Sequence, residues 1–345
     1  MKRLRQTKTY QRLTAFTKRY ERFWVPFMLV AGLTGDVLQY NTLNVWEKFA
    51  IMGVYVVVST GALLLIHDPR AMERRGLRGL RVIAPFVHQF AVGGLLATSL
   101  LFYWFSGSVS VSWPIFLALG IFILSNEFFR KHFLRPTVQV AVLSFSLCSL
   151  SAILFSFIFN SLSATTFLMG SLTSLVFMLG FVLLLTRMDH LLHRRRVMIL
   201  TVLGVFATMS AAYFGNVIPP IPLSIRSAEI VVQQGVVTEE TWIGRLIPGQ
   251  EVQIKKGQPV YAYTSIFAPG DLSTTMVHRW QNYDQQTHQW VTVSILTYPM
   301  VGGRDEGYRG YSVKNSLSEG RWRVSVETLR GQVLGRIPFT IVFSL

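Results

Sequence analysis

At residues 219–222 the chain changes character. Upstream, long apolar runs follow one another, the last being VMILTVLGVFATMSAAYFGNVI at 197–218. Downstream of Pro219, Pro220 and Pro222, short alternating segments separated by Gly and Pro take over. About 20 apolar residues in a helix cross a hydrocarbon core of about 30 Å. A proline cluster ends such a helix, because the ring removes an N–H donor and clashes with the preceding turn. The chain is therefore predicted to be an α-helical transmembrane bundle followed by an all-β, sandwich-like domain.

Seven segments qualify as spans: roughly 24–43, 48–66, 82–105, 109–126, 137–159, 164–186 and 197–218. The expected layout is a basic tail (1–23), a seven-span region (24–218), a proline-rich hinge (219–226) and a β domain (227–345). Short links join the third to the fourth span and the fifth to the sixth, so each pair should form a hairpin. Gly170, Ser171, Thr173, Ser174 and Gly180 give the sixth span a helix-packing composition. Gly93-Gly94 is a weaker signal of the same kind.

Charge sets the expected orientation. Twenty basic residues fall in the first 22 residues and in the loops after the second, fourth and sixth spans, whereas the opposite loops hold Lys48 alone. Such alternation predicts a cytoplasmic N-terminus and an extracytoplasmic C-terminal domain. The N-terminal segment MKRLRQTKTYQRLTAFTKRYERFW lacks a clean small-residue cleavage site and reads as a retained tail. The net charge of +16 would point to nucleic acid if spread over a soluble surface. Here it is concentrated in loops between spans, so topology accounts for it and no nucleic-acid partner is expected. Cys148, the one cysteine, lies inside an apolar run, which leaves no intrachain disulfide and no cysteine–histidine zinc site.

Polar residues in the spans are candidate functional positions, because burying them in lipid is unfavourable. They are Asp36 in the first, His88 and Gln89 in the third and Glu127 at the end of the fourth. Asp36 equally suits a cap near the outer interface, and Glu127 an ion pair with the basic loop beside it. The set is too sparse for an evident ion pathway. His67, His132, His190 and His193 gather at the cytoplasmic edge without metal-ligand spacing, and an interfacial role suits them. No metal and no cofactor is expected.

Seven strands are predicted after the prolines: 228–234, 259–266, 273–281, 289–297, 308–314, 321–328 and 332–343. In RWRVSVET, Trp322, Val324 and Val326 share one face and Arg321, Arg323 and Ser325 the other, so Trp322 should be core. No G-x-S-x-G elbow, H-E-x-x-H helix or paired metal spacing occurs, and no catalytic residue is assigned. Arg279, Arg304, Arg309, Tyr311 and Lys314 form the candidate ligand-binding group. Arginine forks bind carboxylate or phosphate, and aromatic rings stack on sugar faces.

The strings His278-Arg279-Trp280, Gly303-Arg304, Tyr311-Ser312-Val313-Lys314, Gly320-Arg321-Trp322-Arg323-Val324 and Gly331-Gln332-Val333-Leu334 resemble an uncharacterised bacterial domain family of unknown function. Gly35-Asp36 and the exit Ile218-Pro219-Pro220-Ile221-Pro222-Leu223-Ser224 resemble its multi-pass members. The resemblance implies an extracytoplasmic β domain on a membrane anchor, with no established catalytic residue, cofactor or substrate.

Together these features lead to one expectation with two alternatives. The chain should be a multi-pass protein of the bacterial inner membrane whose exterior β domain binds an anionic glycan, a lipid headgroup or an envelope protein. The alternatives are a small-molecule or lipid transporter with an accessory exterior domain, and a purely structural component of an envelope complex.

Overall fold

The computed structural model describes residues 34, 44–68, 75–128, 135–187, 189–232, 250–270, 272–304 and 307–344. The helices are α1 (Val45–His67), α2 (Arg75–Ser106), α3 (Val109–Phe128), α4 (Pro136–Ile158), α5 (Ala164–Leu185), a single turn α6 (Asp189–Leu192) and α7 (Arg195–Phe214). Among the described residues five helices are long and apolar enough to cross a membrane: Val45–His67, Gly76–Ser106, Pro136–Ile158, Ala164–Leu185 and Arg195–Phe214. The count of seven is thereby corrected. The fourth expected span corresponds to a shorter apolar helix, Val109–Phe122, and the first (24–43), apart from Thr34, lies outside the described residues.

Local chemistry places the helix ends. Asn44 caps α1: its Oδ1 accepts from the Glu47 amide at 2.9 Å, while Glu47 Oε2 accepts from the Asn44 amide at 3.0 Å. Pro136 opens α4 at the position where a missing N–H is harmless. Only Gly107 and Ser108 separate α2 from α3, the short link expected of a hairpin. The packing signal in the sixth predicted span corresponds to a close approach: a Cβ on Gly170 would lie 2.6 Å from the carbonyl oxygen of Ser151 on α4. Only glycine lets the backbones come that near.

The described residues fall into two compact units, one within 1–101, 117–154 and 167–211, the other within 102–116, 155–166 and 212–345. The second unit carries eight strands: β1 (Ser224–Val231), β2 (Gln250–Ile254), β3 (Val260–Phe267), β4 (Ser273–Asp284), β5 (Gln289–Val301), β6 (Tyr308–Lys314), β7 (Gly320–Thr328) and β8 (Val333–Phe343). They form a three-stranded sheet, β1-β3-β6, and a five-stranded sheet, β2-β8-β7-β4-β5. The pairing is antiparallel except between β2 and β8, which run parallel. β2 was not among the seven expected strands, and it joins its sheet by parallel pairing with β8.

Two apolar clusters draw residues from both sheets. One joins Ile230, Val260 and Ala262 to Trp280, Trp322, Val324, Phe339 and Ile341. The other joins Ile266 and Leu223 to Met276, Met300, Val326 and Leu334. Trp322 is 3% exposed and its neighbour Arg321 is exposed, as strand alternation predicts. The Trp280 and Phe339 rings meet edge to face at 6.1 Å, an arrangement favoured by the ring quadrupoles.

Candidate ligand-binding faces

Between the two apolar clusters lies a buried polar network. Along β4 the inward positions are Met276, His278 and Trp280; along β3 they are Ala262, Thr264 and Ile266. His278 and Thr264 therefore interrupt the core. His278 Nδ1 lies 2.8 Å from Ser312 Oγ on β6, and its Nε2 lies 3.0 Å from Thr264 Oγ1 and 3.3 Å from the Tyr298 hydroxyl. Trp280 Nε1 donates to Ser312 Oγ at 3.0 Å, and the Thr264 and Tyr298 hydroxyls are 2.7 Å apart. With Ser312 donating to Nδ1 and the imidazole proton on Nε2, each of these groups finds a partner. Gly310 makes room for this: a Cβ there would collide with the Tyr298 ring. Burial lowers the His278 pKa to about 4 and pushes the Tyr298 hydroxyl up to about 12. The network links both sheets and is closed to solvent at His278.

The outer side of the three-stranded sheet carries tyrosines. Tyr263 on β3 pairs directly with Tyr311 on β6, and their rings stack at 5.4 Å and 29°. Tyr261 stacks on Tyr263 at 6.1 Å and 25°. Tyr311 is 50% exposed, and Arg309, two positions earlier on the same strand face, is exposed as well. The two expected partners Arg309 and Tyr311 thus share a face. Lys314 does not: alternation groups it with Gly310 and Ser312, at the end of the strand. Arg304 lies in the turn before β6, with its guanidinium 5.4 Å from the Tyr308 ring centroid.

Arg279 belongs to the other sheet. Its Nε donates to both carboxylate oxygens of Glu327 on β7, at 3.0 and 3.1 Å. On the same outer face Arg321 lies 4.7 Å from the Tyr283 ring and Arg323 4.2 Å from the Trp290 ring, while those two rings meet at 5.2 Å. Asp284 is occupied by the β4–β5 hairpin, where it accepts from the Gln286 amide at 2.9 Å and the Thr287 hydroxyl at 2.7 Å.

In the helical unit His88 is buried, with Nδ1 2.8 Å from Ser59 Oγ, and Gln89 is buried beside it. His67 Nε2 lies 3.3 Å from Gln139 Oε1, so this histidine joins two helices at their ends. Asp36 and the Glu127 side chain lie outside the described residues.

Residues 273–341 match a family model described as "Protein of unknown function (DUF2914)". An uncharacterised domain therefore follows a region of several apolar helices, and the match runs from β4 into β8 without touching the helices. No curated protein matches the chain. Among solved structures, a β-glucosidase from Listeria innocua in complex with gluconolactone aligns at a TM-score of 0.21 and 11% identity, over 34% of this chain and 16% of that one. The same enzyme with isofagomine gives 0.20 and 9%, over 34% and 17%. An alkylpurine DNA glycosylase from Pseudomonas fluorescens, bound to DNA containing an abasic site analogue, gives 0.24 and 10%, over 84% and 98%. This chain thus spans about a sixth of the β-glucosidase length, and likenesses at these TM-scores assign neither fold nor activity.

Proposed function

We propose that this chain is a multi-span protein of the bacterial inner membrane whose sandwich-like β domain, outside the cytoplasm, binds an anionic envelope glycan. The domain limits of the reading are a cytoplasmic tail at 1–23, spans within 24–218, a hinge at 219–226 and the β domain at 227–345. The observation that supports the binding role is the stacked row Tyr261, Tyr263 and Tyr311 with Arg309 beside it. Stacked rings on a sheet give a rigid platform for the C–H faces of sugars, and a neighbouring guanidinium binds a carboxylate or phosphate on the same polymer.

The test uses the full chain in mild detergent, titrated with acidic cell-wall glycan fragments and with neutral fragments of equal length. Saturable, salt-sensitive binding of the acidic fragments that Tyr311→Ala and Arg309→Gln each weaken supports the reading. Binding that ignores fragment charge and both substitutions overturns it. Reporter fusions at Lys8, after Arg196 and after Leu345 should read inside, inside and outside; a cytoplasmic signal from the last reverses the topology.

A further inference from the structure

We propose that the outer face of the five-stranded sheet holds a second anion site, built around Arg323 and Arg336, that takes the phosphate of a membrane lipid headgroup. The sheet register assembles it. Ser325 on the central strand β7 lies directly between Arg279 on β4 and Arg336 on β8, and Arg323 is two residues along β7. All three arginines alternate with inward core residues, so their side chains leave the sheet on one face.

One carboxylate serves this group. Glu327 is taken by Arg279 in the ion pair already described. Arg323 Nε donates to the neutral Gln281 Oε1 at 2.7 Å, and Arg336 Nη1 to the neutral Ser110 Oγ at 2.9 Å. Arg336 Nε is buried and meets no acceptor. Among the described residues neither Arg323 nor Arg336 has a carboxylate at ion-pair distance. Burial, then the charge of Arg336, lowers the Arg323 pKa to about 10, against the opposing pull of Glu327. Partly buried like charges on one sheet face are unfavourable until an anion joins them. A phosphate supplies the missing charge and matches the donor geometry of two arginine forks.

The position of the site argues for a lipid source. Ser110 stands in the first turn of the apolar helix α3, with its hydroxyl 2.9 Å from that of Ser108. The β7–β8 turn beside the site lies against the end of another apolar helix: Arg330 stacks over Tyr213 of α7 at 4.3 Å, and Gln332 Nε2 donates to the Ile218 carbonyl at 3.2 Å. All of these residues belong to the second compact unit. Arg336 thus sits at the level where apolar helices meet the polar surface, which is the depth of headgroup phosphates.

Native mass spectrometry of the full chain in mild detergent tests this. Dioleoylphosphatidylglycerol and dioleoylphosphatidylcholine are offered in equal amounts, with a parallel arm in which inorganic phosphate is followed by thermal shift. The parent chain should retain the anionic lipid about ten-fold over the zwitterionic one, a difference near 1.4 kcal/mol. The double variant Arg323→Gln, Arg336→Gln should lose that preference, whereas Arg309→Gln on the tyrosine face should keep it. Equal retention of the anionic lipid by parent and double variant overturns the site. A thermal shift with inorganic phosphate that the double variant abolishes, without lipid preference in the parent, keeps the anion site and overturns the lipid as its source. Should the double variant melt early, Arg336→Lys decides: weaker retention at unchanged melting supports the fork, and unchanged retention overturns it. Because Arg309→Gln separates the two faces, failure here leaves the glycan reading intact, and the reverse.

Discussion

The helical unit and the β unit both bury polar side chains, but they satisfy them in opposite ways. In the helices a buried hydroxyl mostly bonds the carbonyl one turn back in its own segment. Thr60 bonds Val56 at 2.8 Å, Ser99 bonds Leu95 at 2.9 Å, Ser144 bonds Val140 at 2.7 Å and Ser146 bonds Val142 at 2.9 Å. The Ser59–His88 pair crosses between helices instead, and Thr186 accepts from Arg195 of α7 at 3.0 Å as well as bonding its own helix. In the β unit the buried groups reach across the core, and one serine on β6 serves both His278 and Trp280 of β4. A hydroxyl that bonds its own helix leaves nothing unpaired when removed. A hydroxyl that joins two sheets leaves partners on other strands without water to replace it.

The comparison can be broken in four places. The largest effect belongs to the apolar core on which the network rests. Trp322→Ala should destabilise the β unit by about 3–5 kcal/mol, while Arg321→Ala, one residue away and exposed, should stay within about 0.5 kcal/mol. Thermal unfolding of the full chain in detergent reads both, and equal melting shifts would reject the face assignment.

The second test is pH. The His278 pKa falls from the ordinary 6.5 to about 4 through burial, so the unfolded chain takes up a proton that the folded chain refuses. The contribution of the neutral imidazole is fully present above pH 6.5, declines as pH falls toward 4 and levels off below, a loss on the order of 3 kcal/mol. Denaturant midpoints of the parent and of His278→Gln at pH 7.5 and 4.5 should diverge; parallel midpoints would mean that the imidazole is not held neutral.

Ser312→Ala is next. It strands the Trp280 indole N–H and the His278 Nδ1, and a buried group left without its partner costs about 1–3 kcal/mol. The smallest effect should come from Ser146→Ala in α4, within about 0.5 kcal/mol. The contrast between those two serines is the sharpest form of the comparison, and similar melting shifts would dissolve it.

Much of this fold was legible from period and punctuation. The segments 259–266, 273–281, 289–297, 308–314, 321–328 and 332–343 correspond to β3 to β8, although β4 runs three residues further into the β4–β5 hairpin and β5 four residues further at its far end. β2 escaped because QEVQI is short and mostly polar, and it becomes a strand only by adding to β8. β1 begins at Ser224, closer to the prolines than 228, because antiparallel pairing with β3 extends it. In the helices, composition revealed the close approach at Gly170, but the apolar run after Trp113 proved too short for a full span.

The candidate site was legible only within single strands. Period two placed Arg309 and Tyr311 together, and the same rule in VYAYTSI was an available signal for Tyr261 and Tyr263. What no local rule discloses is register. The pairing of Arg279 with Glu327, the meeting of His278 with Ser312 and the approach of Arg336 to Arg323 all depend on which strands become neighbours.

The parallel pairing of β2 with β8 has a consequence for synthesis. β8 is not at the rim of its sheet but between β2 and β7. Residues 255–332 separate the two parallel strands, so β2 leaves the ribosome long before the strand it will pair with. At about 5–20 residues per second that interval is roughly 4–16 s. During it β2 has no partner, because β8, the strand it pairs with, is the last to be made. Unpaired edges of this kind recruit other strands, which makes this interval the point at which the nascent chain depends most on being shielded.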